Sequence, residues 1–454
     1  MTCLGRERMS TPTTLSYAEK KARLRSDWQS GSGHIRLAKS TISNLFRYQP
    51  RDAAVRRISL ADFNHVLSID TDAGTAEVEG LTTYERVVRN CLEHGFLPLV
   101  APELKHITVG GATVGIGIES TCFRYGFVHD GLIEADVLLP GGEIVTARAD
   151  NEYADLFSAL PNSYGTLGYI LRAKIALHRA GPYVHLHVQR FEEPGAYLEA
   201  MKVATESQDL QFVEGLFFED GRYFLMTGRF VDKVVRRDDI IRRHIFYRLV
   251  EERRDIYLST FDYIFRYDPD WFWNVPETGF YDLFRRFAPE RWRNSSFYTR
   301  YVATKSRLLG TVGIHDTSVE PLIQDWEVPW ERGEELIRFC IDQVRLDGRP
   351  WAAVPIKAPR RPTLYPIEPE RLYFNLGCYC QVRRPEGREA YHYTKLMDRK
   401  CFELGGIKML YSSSFLDKNE FDALYNGAAY GELKRKYDPA GNAQQLYEKV
   451  AIAP

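Results

Sequence analysis

Apolar and polar residues alternate in two short runs near residue 70, and this pattern predicts a β-hairpin. The runs are Val66 to Asp70 and Thr75 to Glu79, and residues 71–74 between them read Thr-Asp-Ala-Gly. Asp and Gly favour tight turns between strands. We therefore expect two paired strands here.

A helix is predicted directly after the hairpin. Thr82 and Glu85 have the spacing of a capping box, and Gly95 stands where a helix stop is expected. Helical spacing between these residues gathers one apolar face, formed by Val87, Val88, Cys91 and Leu92. The order strand, strand, helix lacks the regular βαβ alternation of a doubly wound sheet and favours the α+β class.

Similar patterns predict further elements along the chain. Helices are expected from Ala18 to Trp28 and from Trp330 to Leu346, where one apolar stripe recurs. Strands are expected at His34 to Ala38, Ala135 to Leu139, Ile144 to Thr146, Ile170 to Leu177, Val184 to Val188, Tyr223 to Thr227 and Leu372 to Leu376. The first α+β region closes at Gly181-Pro182. A second α+β region follows.

Length, charge and cysteine usage narrow the class of protein. The 454 residues suffice for two or three domains, and 60 Lys plus Arg against 61 Asp plus Glu leave a formal net charge of -1, so we expect no nucleic-acid partner. No pair of CxxC elements occurs among the seven cysteines, so neither structural zinc nor a disulfide framework is expected, and we predict no metal site. Cys378 and Cys380 should face one side of a strand as small core residues.

Membrane-spanning and secretory segments are not predicted. No run approaches the length of apolar chain that crosses a bilayer, and the beginning of the sequence lacks the apolar core of a signal peptide. The sequence therefore predicts a cytoplasmic protein.

Two glycine-dense stretches stand out, over residues 109–120 and 163–170. Glycine lets backbone N–H groups approach a ligand without a Cβ in the way, and such loops often surround phosphates. The first stretch lacks the third glycine of the dinucleotide fingerprint and a surrounding βαβ unit, which disfavours a Rossmann fold. Taken singly, either stretch is also consistent with tight turns and bulges of a sheet.

Together, the two stretches resemble a known family. The chain contains PELKHITVGGATVGIGIESTCFRYG and NSYGTLGYILRAKI, and later QFVEGLFFEDGRYFLMTG, LYFNLGCYCQV and KYDPAG. These runs resemble the FAD-binding flavoproteins of the vanillyl-alcohol oxidase (PCMH) type, and within them the Δ24-sterol reductases. The resemblance extends from about residue 20 to the C-terminus. It implies a two-subdomain PCMH-type FAD-binding domain over residues 1–180, an α+β substrate (cap) domain over 181–405, and a C-terminal segment over 406–454 that returns to the flavin domain.

The resemblance also implies which residues bind FAD, with its pyrophosphate against backbone N–H groups of the glycine-rich stretches. A first phosphate loop, poorer in glycine than is usual in the family, contains Lys39, Ser40, Thr41 and Asn44. The first glycine motif supplies Pro102, Glu103, Val109, Gly110, Gly111, Gly115, Gly117, Glu119 and Ser120. The second supplies Ser163, Gly165, Thr166, Gly168 and Ile170.

The flavin is expected to be noncovalent. Some relatives attach it through a histidine, and Gly31-Ser32-Gly33-His34 superficially resembles such an attachment loop. No strand is predicted before that loop, whereas the loop from Lys39 to Asn44 follows one. Glu119 falls where some relatives carry a histidine.

The activity that the resemblance implies is FAD-dependent reduction of a carbon–carbon double bond in a sterol- or isoprenoid-like substrate, with NADPH as electron source and flavin N5 as the reacting atom. The candidates for proton transfer are Tyr411, Lys418, Glu214, Tyr301 and His315. Of these, we predict Lys418, Tyr411 and Glu214 as the catalytic residues. Lys418 matches a site that faces the flavin in the related sugar-phosphate oxidases. Glu214 lies inside an apolar strand, where a carboxylate needs a partner or a role, and an ion pair with an arginine is the structural alternative.

Two other functions stay open. One is an FAD-dependent alcohol or sugar oxidase or dehydrogenase that acts on a hydroxylated metabolite. The other is a flavin-fold protein that only binds a lipid or partner, and the two intact glycine clusters argue against it.

The substrate is expected to be a small molecule or a lipid. The aromatic stretch from Phe261 to Trp273 either lines an apolar slot or forms an ordinary core. Arg242, Arg243 and Arg248 either face solvent or rest on anionic headgroups. Peripheral membrane contact is therefore an additional expectation, and the sequence carries no signal for the oligomeric state.

Overall fold

The computed structural model describes residues 15–28, 34–38, 55–271, 273–274, 279–301, 304 and 318–451. The predicted phosphate-loop residues Lys39, Ser40, Thr41 and Asn44, and also His315, lie outside these described residues. The described strands are β1 (His34–Ala38), β2 (Val55–Ser59), β3 (Val66–Asp70), β4 (Thr75–Glu79), β5 (Phe96–Pro98), β6 (Leu132–Leu138), β7 (Ile144–Arg148), β8 (Tyr169–Arg179), β9 (Tyr183–Phe191), β10 (Phe212–Phe217), β11 (Tyr223–Val231), β12 (Asp255–Ser259), β13 (Val319–Pro329), β14 (Trp351–Lys357), β15 (Leu372–Arg383) and β16 (Ile407–Lys408).

Helices separate and cover these strands. The described helices are α1 (Tyr17–Asp27), α2 (Tyr84–Glu93), α3 (Val109–Val114), α4 (Cys122–Tyr125), α5 (Ala154–Ala159), α6 (Pro194–Glu206), α7 (Phe246–Glu252), α8 (Thr260–Ile264), α9 (Gly279–Phe287), α10 (residues 295–301), α11 (Gly333–Gln343), α12 (His392–Glu403), α13 (Lys418–Leu424), α14 (Gly427–Tyr437) and α15 (Leu446–Val450). Helices and strands mix along the chain, which confirms the predicted α+β class.

The first large sheet is antiparallel, with described strands in the order β3-β4-β8-β6-β7 and β5 also paired with β8. Its edge is the predicted hairpin, since β3 and β4 have the predicted bounds and pair with each other. Gly74 takes a φ of 62° in the connecting turn, a conformation that glycine adopts without strain. A separate two-stranded parallel sheet joins β1 and β2.

The predicted capping box of α2 is wrong. The helix begins at Tyr84 with Thr83 at the N-cap, and the Thr82 hydroxyl donates instead to the His65 carbonyl at 3.0 Å. The N–H groups of Tyr84 and Glu85 donate to carbonyls of Ile107 and Lys105. A loop 20 residues further along the chain therefore caps this helix, and local spacing carries no trace of such a partner.

The second large sheet is antiparallel and has the described order β12-β9-β11-β10-β14-β15-β13-β16. Alternate residues of a strand point to opposite faces. One face packs under α6, α11 and α12, with Val213 of β10, Trp326 of β13 and Phe374 of β15 in that core. The other face packs in the core shared with the first sheet and includes Phe212 and Leu216 of β10.

Other predictions are confirmed with changed ends. Cys378 and Cys380 are buried on the helix-covered face with their Sγ atoms 3.5 Å apart. The helix predicted from Trp330 opens as a short 3-10 turn, and α11 then ends at Gln343. Within the described part of the chain, no helix is both long and apolar enough to cross a membrane.

Candidate active site

A cavity of about 30 Å³ lies where the second sheet meets the first domain. The sheet lines it with residues that all occupy the uncovered face by strand alternation: Glu214 of β10, Asp325 of β13, and Asn375 and Tyr379 of β15. The first domain contributes Glu103, Ile118 and Glu119. Arg266 and Tyr267 enter from the segment after α8. Acidic groups from both domains therefore converge on one small space.

The arginine cluster (Glu119, Glu214 and Arg266) forms one side of the cavity. The Arg266 guanidinium is 1% exposed. Its Nη2 donates to both Glu119 oxygens at 3.1 and 3.0 Å and to Glu214 Oε2 at 2.7 Å. Because a buried ion that loses its partner is costly, these contacts fix the first domain to the second sheet.

Local structure explains why Arg266 points here. Ser259 caps α8 by accepting from the Asp262 N–H at 3.1 Å, and the chain turns tightly after Ile264. Tyr263 and Tyr267 then stack on Arg266, with its guanidinium carbon 4.5 and 4.7 Å from their ring centroids. Both phenols donate to Glu214, at 3.0 and 3.2 Å. The aromatic stretch of the sequence thus forms core and also encloses the ion pair.

The aspartate cluster (Asp325, Asn375, Tyr379 and Tyr411) forms the other side. Asn375 Nδ2 donates to Asp325 Oδ1 at 2.9 Å, and the Tyr411 hydroxyl donates to Asp325 Oδ2 at 2.7 Å. The Tyr379 hydroxyl also donates to Oδ2. Among the described residues no cation contacts Asp325. In the part of the chain that the structure describes, the donors to this acid are all neutral.

Burial shifts the acid–base equilibria of the cavity. Desolvation, and then the nearby Glu119 charge, hold the pKa of the Glu103 carboxyl well above its usual range. Burial raises the pKa of Glu214, and Arg266 opposes that shift. Burial also raises the pKa of Asp325, although its tyrosine and asparagine donors oppose the shift. The pKa values of Tyr379 and Tyr411 rise well above the usual range for the same reason, so both phenols keep their protons.

The first glycine stretch packs tightly against the first sheet. The N–H groups of Val109 and Gly110 donate to carbonyls of Thr82 and Gly80 at 2.9 and 2.8 Å. A Cβ on Gly80 would lie 1.8 Å from the Ile170 carbonyl oxygen, and one on Gly117 would lie 2.6 Å from Val128 Cγ2. These glycines therefore have a packing role of their own. Because the donors of Val109 and Gly110 are already satisfied, phosphate contact by them stays a prediction.

The second glycine stretch has a strained backbone, and a helix from later in the chain contacts it. Asn162, Tyr164 and Gly165 take φ values of 64°, 49° and 77°, in the region that non-glycine residues rarely adopt. The Lys434 ammonium of α14 donates to the Thr166 carbonyl at 2.9 Å. Asn162 Oδ1 is buried without a hydrogen-bond partner in the described structure. A strained loop with an unpaired buried acceptor fits a cofactor site.

The structure brings two of the three predicted catalytic residues to the cavity. Glu214 lines it, and Tyr411 reaches its wall through Asp325. Lys418 lies elsewhere, at the start of α13, where its half-exposed side chain pairs with Asp422. Its role stays a prediction. Arg242, Arg243 and Arg248 are exposed.

Sequence reasoning missed Arg266, Asp325 and Tyr379. Asp325 carried a signal like that of Glu214, an acid within a mostly apolar strand (PLIQDWEV). Glu327 repeats the pattern two residues later, and it is buried with Tyr365 donating to it at 2.5 Å. Arg266 lies among the aromatic residues in the sequence, but its hydrogen-bond partners are known only from the fold.

Comparisons with known proteins agree with this architecture. Residues 42–148 match the family model described as "FAD binding domain". The chain is 26% identical over 439 residues to the Delta(24)-sterol reductase of Arabidopsis thaliana and 27% identical over 409 residues to that of Homo sapiens. Each match covers 86% of this chain and 76% of the relative. The Delta(24)-sterol reductase homolog dhcr-24 of Caenorhabditis elegans is 23% identical over 435 residues, with 89% of this chain and 81% of the relative covered.

Proposed function

We propose that this protein, an FAD-dependent oxidoreductase with a PCMH-type FAD-binding domain and Δ24-sterol reductase homologues over most of its length, reduces a carbon–carbon double bond of a sterol- or isoprenoid-like substrate. NADPH is its electron source, and flavin N5 is the reacting atom. The observation that carries the proposal is the extent of the similarity. A match over 86% of the chain cannot fit within the FAD-binding domain and must include much of the second sheet.

The chemistry of the cavity is consistent with reduction. Bound FAD would supply a hydride to one alkene carbon, and the protein must supply a proton to the other and exclude water. The cavity wall also contains the apolar side chains of Ile118, Ala352 and Val354, so that the acids lie beside apolar surface. Oxidation of an alcohol needs a free base instead. Glu119, Glu214 and Asp325 already accept hydrogen bonds from protein donors, so these oxygens are not free to take the proton of an alcohol.

The remaining site assignments are part of this proposal. The residues named above from the two glycine motifs and the first phosphate loop hold a noncovalent FAD. Glu214 holds Arg266 in place, Tyr411 holds Asp325, and both keep the polar ends of the cavity fixed. Lys418 keeps the catalytic role that the sequence predicts, although it does not line the cavity.

We further propose that the protein meets a lipid substrate by peripheral contact with a membrane on the cytoplasmic side. Leu283 and Phe287 of α9 are 57% and 79% exposed, and Trp292 nearby is 41% exposed. The exposed Arg286 and Arg291 flank them, as suits anionic headgroups. Co-sedimentation with phosphatidylserine vesicles, compared with neutral vesicles, tests this contact. Equal recovery in both supernatants would contradict it.

The test of the function uses the purified protein under anaerobic conditions. We expect a yellow protein that releases FAD on acid precipitation, is bleached by NADPH, and regains its colour when a Δ24-unsaturated sterol is added. The saturated sterol is the matched control and should leave the flavin bleached. Bleaching by an alcohol or sugar, with no response to NADPH, would favour an oxidase and overturn the proposal.

A further inference from the structure

We infer that Glu103 is the catalytic residue that delivers the proton to the substrate, with the arginine cluster as its positioning set. The inference rests on the proposed function and adds the proton donor, which the sequence assigned to other residues.

The contacts of Arg266 single out Glu103. Three carboxyl groups line this end of the cavity with one guanidinium. Arg266 Nη2 donates to Glu119 and Glu214, its Nε donates to Glu214 at 3.2 Å, and its Nη1 donates to the Tyr263 carbonyl at 3.1 Å. Each nitrogen of the guanidinium thus has a hydrogen-bond partner other than Glu103. Glu103 is the acid of this end that faces the cavity without a direct bond to the cation.

Electrostatics then give Glu103 a proton. Two carboxylates that lie side by side in a buried site cannot both be ionised at low cost, and one retains a proton. Glu119 has the hydrogen-bond donors that stabilise a carboxylate, since Arg266, the Ser120 N–H at 2.8 Å and the Ser120 hydroxyl at 2.9 Å all donate to it. Glu103 therefore holds the proton, in agreement with the upward direction of its pKa.

The other candidates are poorer donors. Glu214 accepts from Arg266, Tyr263 and Tyr267, and is held as an acceptor. Tyr411 carries a proton, but it is a phenol, with an ordinary pKa near 10 against about 4 for a carboxylic acid. Losing that proton would also place a negative charge beside the buried Asp325. A neutral carboxyl group that opens on the cavity is the stronger acid.

Proton transfer from Glu103 completes the proposed reduction of the double bond. The O–H bond of Glu103 breaks, and the proton forms a C–H bond at one alkene carbon with the π electron pair. The other alkene carbon receives a hydride, whose electron pair comes from NADPH. The Glu103 carboxylate regains a proton from solvent, so that one double bond, NADPH and one proton give the saturated product and NADP⁺.

The decisive variant is Glu103→Gln, which keeps the size and polarity of the side chain and removes the transferable proton. NADPH-driven bleaching of the bound flavin, measured on the same sample, is the internal reference for any effect of the variant on the flavin site. Reoxidation by a Δ24-unsaturated sterol should slow by roughly 100-fold or more, the usual contribution of a general acid. Glu143→Gln, on the exposed β6–β7 turn of the same domain, is the matched control and should behave as wild type in both half-reactions.

An infrared measurement tests the protonation state without turnover. The infrared difference between wild type and Glu103→Gln at pH 7.5 should contain the carbonyl band of one neutral carboxylic acid, and the difference between wild type and Glu143→Gln should contain none. This readout also serves if Glu103→Gln binds FAD poorly, because absence of the band from the first difference would overturn the inference.

The outcomes separate the inference from the proposed function. If wild-type flavin is not reoxidised by the sterol, the function fails, and the infrared band still decides the protonation of Glu103. If wild type is reoxidised and Glu103→Gln matches its rate, the function stands and the inference is wrong. With Glu103→Asp, whose shorter side chain keeps the proton, we expect a partial recovery of the sterol-driven rate.

Discussion

The arginine cluster and the aspartate cluster hold buried acids at opposite sides of one cavity by different means. Glu119 and Glu214 share a guanidinium, whereas Asp325 relies on two phenols and an amide. The shared guanidinium ties the first domain to the second sheet. A cluster of neutral donors leaves the charge of its acid responsive to pH. The arginine cluster is therefore a structural clamp, whereas the aspartate cluster forms a cavity wall whose charge depends on pH.

Removing the cation should have the largest effect. Arg266→Leu leaves Glu119 and Glu214 buried without their cation, and we expect it to lower the free energy of unfolding by about 3–5 kcal/mol. Urea unfolding of the FAD-loaded protein, followed by tryptophan fluorescence, measures the loss. The control Arg243→Leu removes an exposed arginine and should change stability by less than about 0.5 kcal/mol. Equal midpoints for the two variants would refute the clamp.

Neutralising the opposite acid should cost less. Asp325→Asn keeps one acceptor for the surrounding donors, and we expect a loss of about 1–3 kcal/mol near pH 5. Folding raises the pKa of Asp325 above its ordinary value of 3.8, so its contribution to wild-type stability is complete below that value and declines as pH rises through the higher folded value. The gap between wild type and Asp325→Asn should therefore narrow from pH 5 to pH 9. A gap that widens with pH would show that Asp325 is stabilised as a carboxylate.

Removing one phenol should have a smaller effect. Tyr411→Phe deletes one of the donors to Asp325, and we expect a loss of about 1 kcal/mol. In the Asp325→Asn background the same change should cost less, because the two residues act on one hydrogen bond. A double-mutant cycle by urea unfolding measures this coupling. Additive losses would mean that the phenol is held by other contacts.

The smallest change is expected on the ionic side. Ser120→Ala removes a hydroxyl that donates to Glu119 at 2.9 Å, yet Glu119 keeps Arg266 and the Ser120 N–H as donors. We expect a loss of only about 0.5 kcal/mol. A loss larger than that of Tyr411→Phe would reverse the comparison, since it would show that the cation does not dominate its cluster.

The features that were predicted correctly from the sequence are those determined by residues close together in the chain. The β3–β4 hairpin follows from alternation and a turn, and Cys378 with Cys380 follows from the two-residue period of a strand. The cap of α2 failed because its partners come from a distant loop. For the same reason the sequence predicted only part of the candidate site. Glu214 could be predicted because it is an acid among apolar residues. The hydrogen bond between Arg266 and Glu119, which are 147 residues apart, depends on tertiary structure.

The contact of Lys434 with Thr166 has a consequence for the order of folding. Its two partners are 268 residues apart, and Lys434 also donates to Asp438 and Ala443. The second glycine stretch therefore acquires this support only after α14 has been synthesised, long after its own strand β8 has left the ribosome. Contacts of such separation form late, because the intervening chain must first be ordered. Maturation of the glycine stretch thus waits for nearly the whole chain.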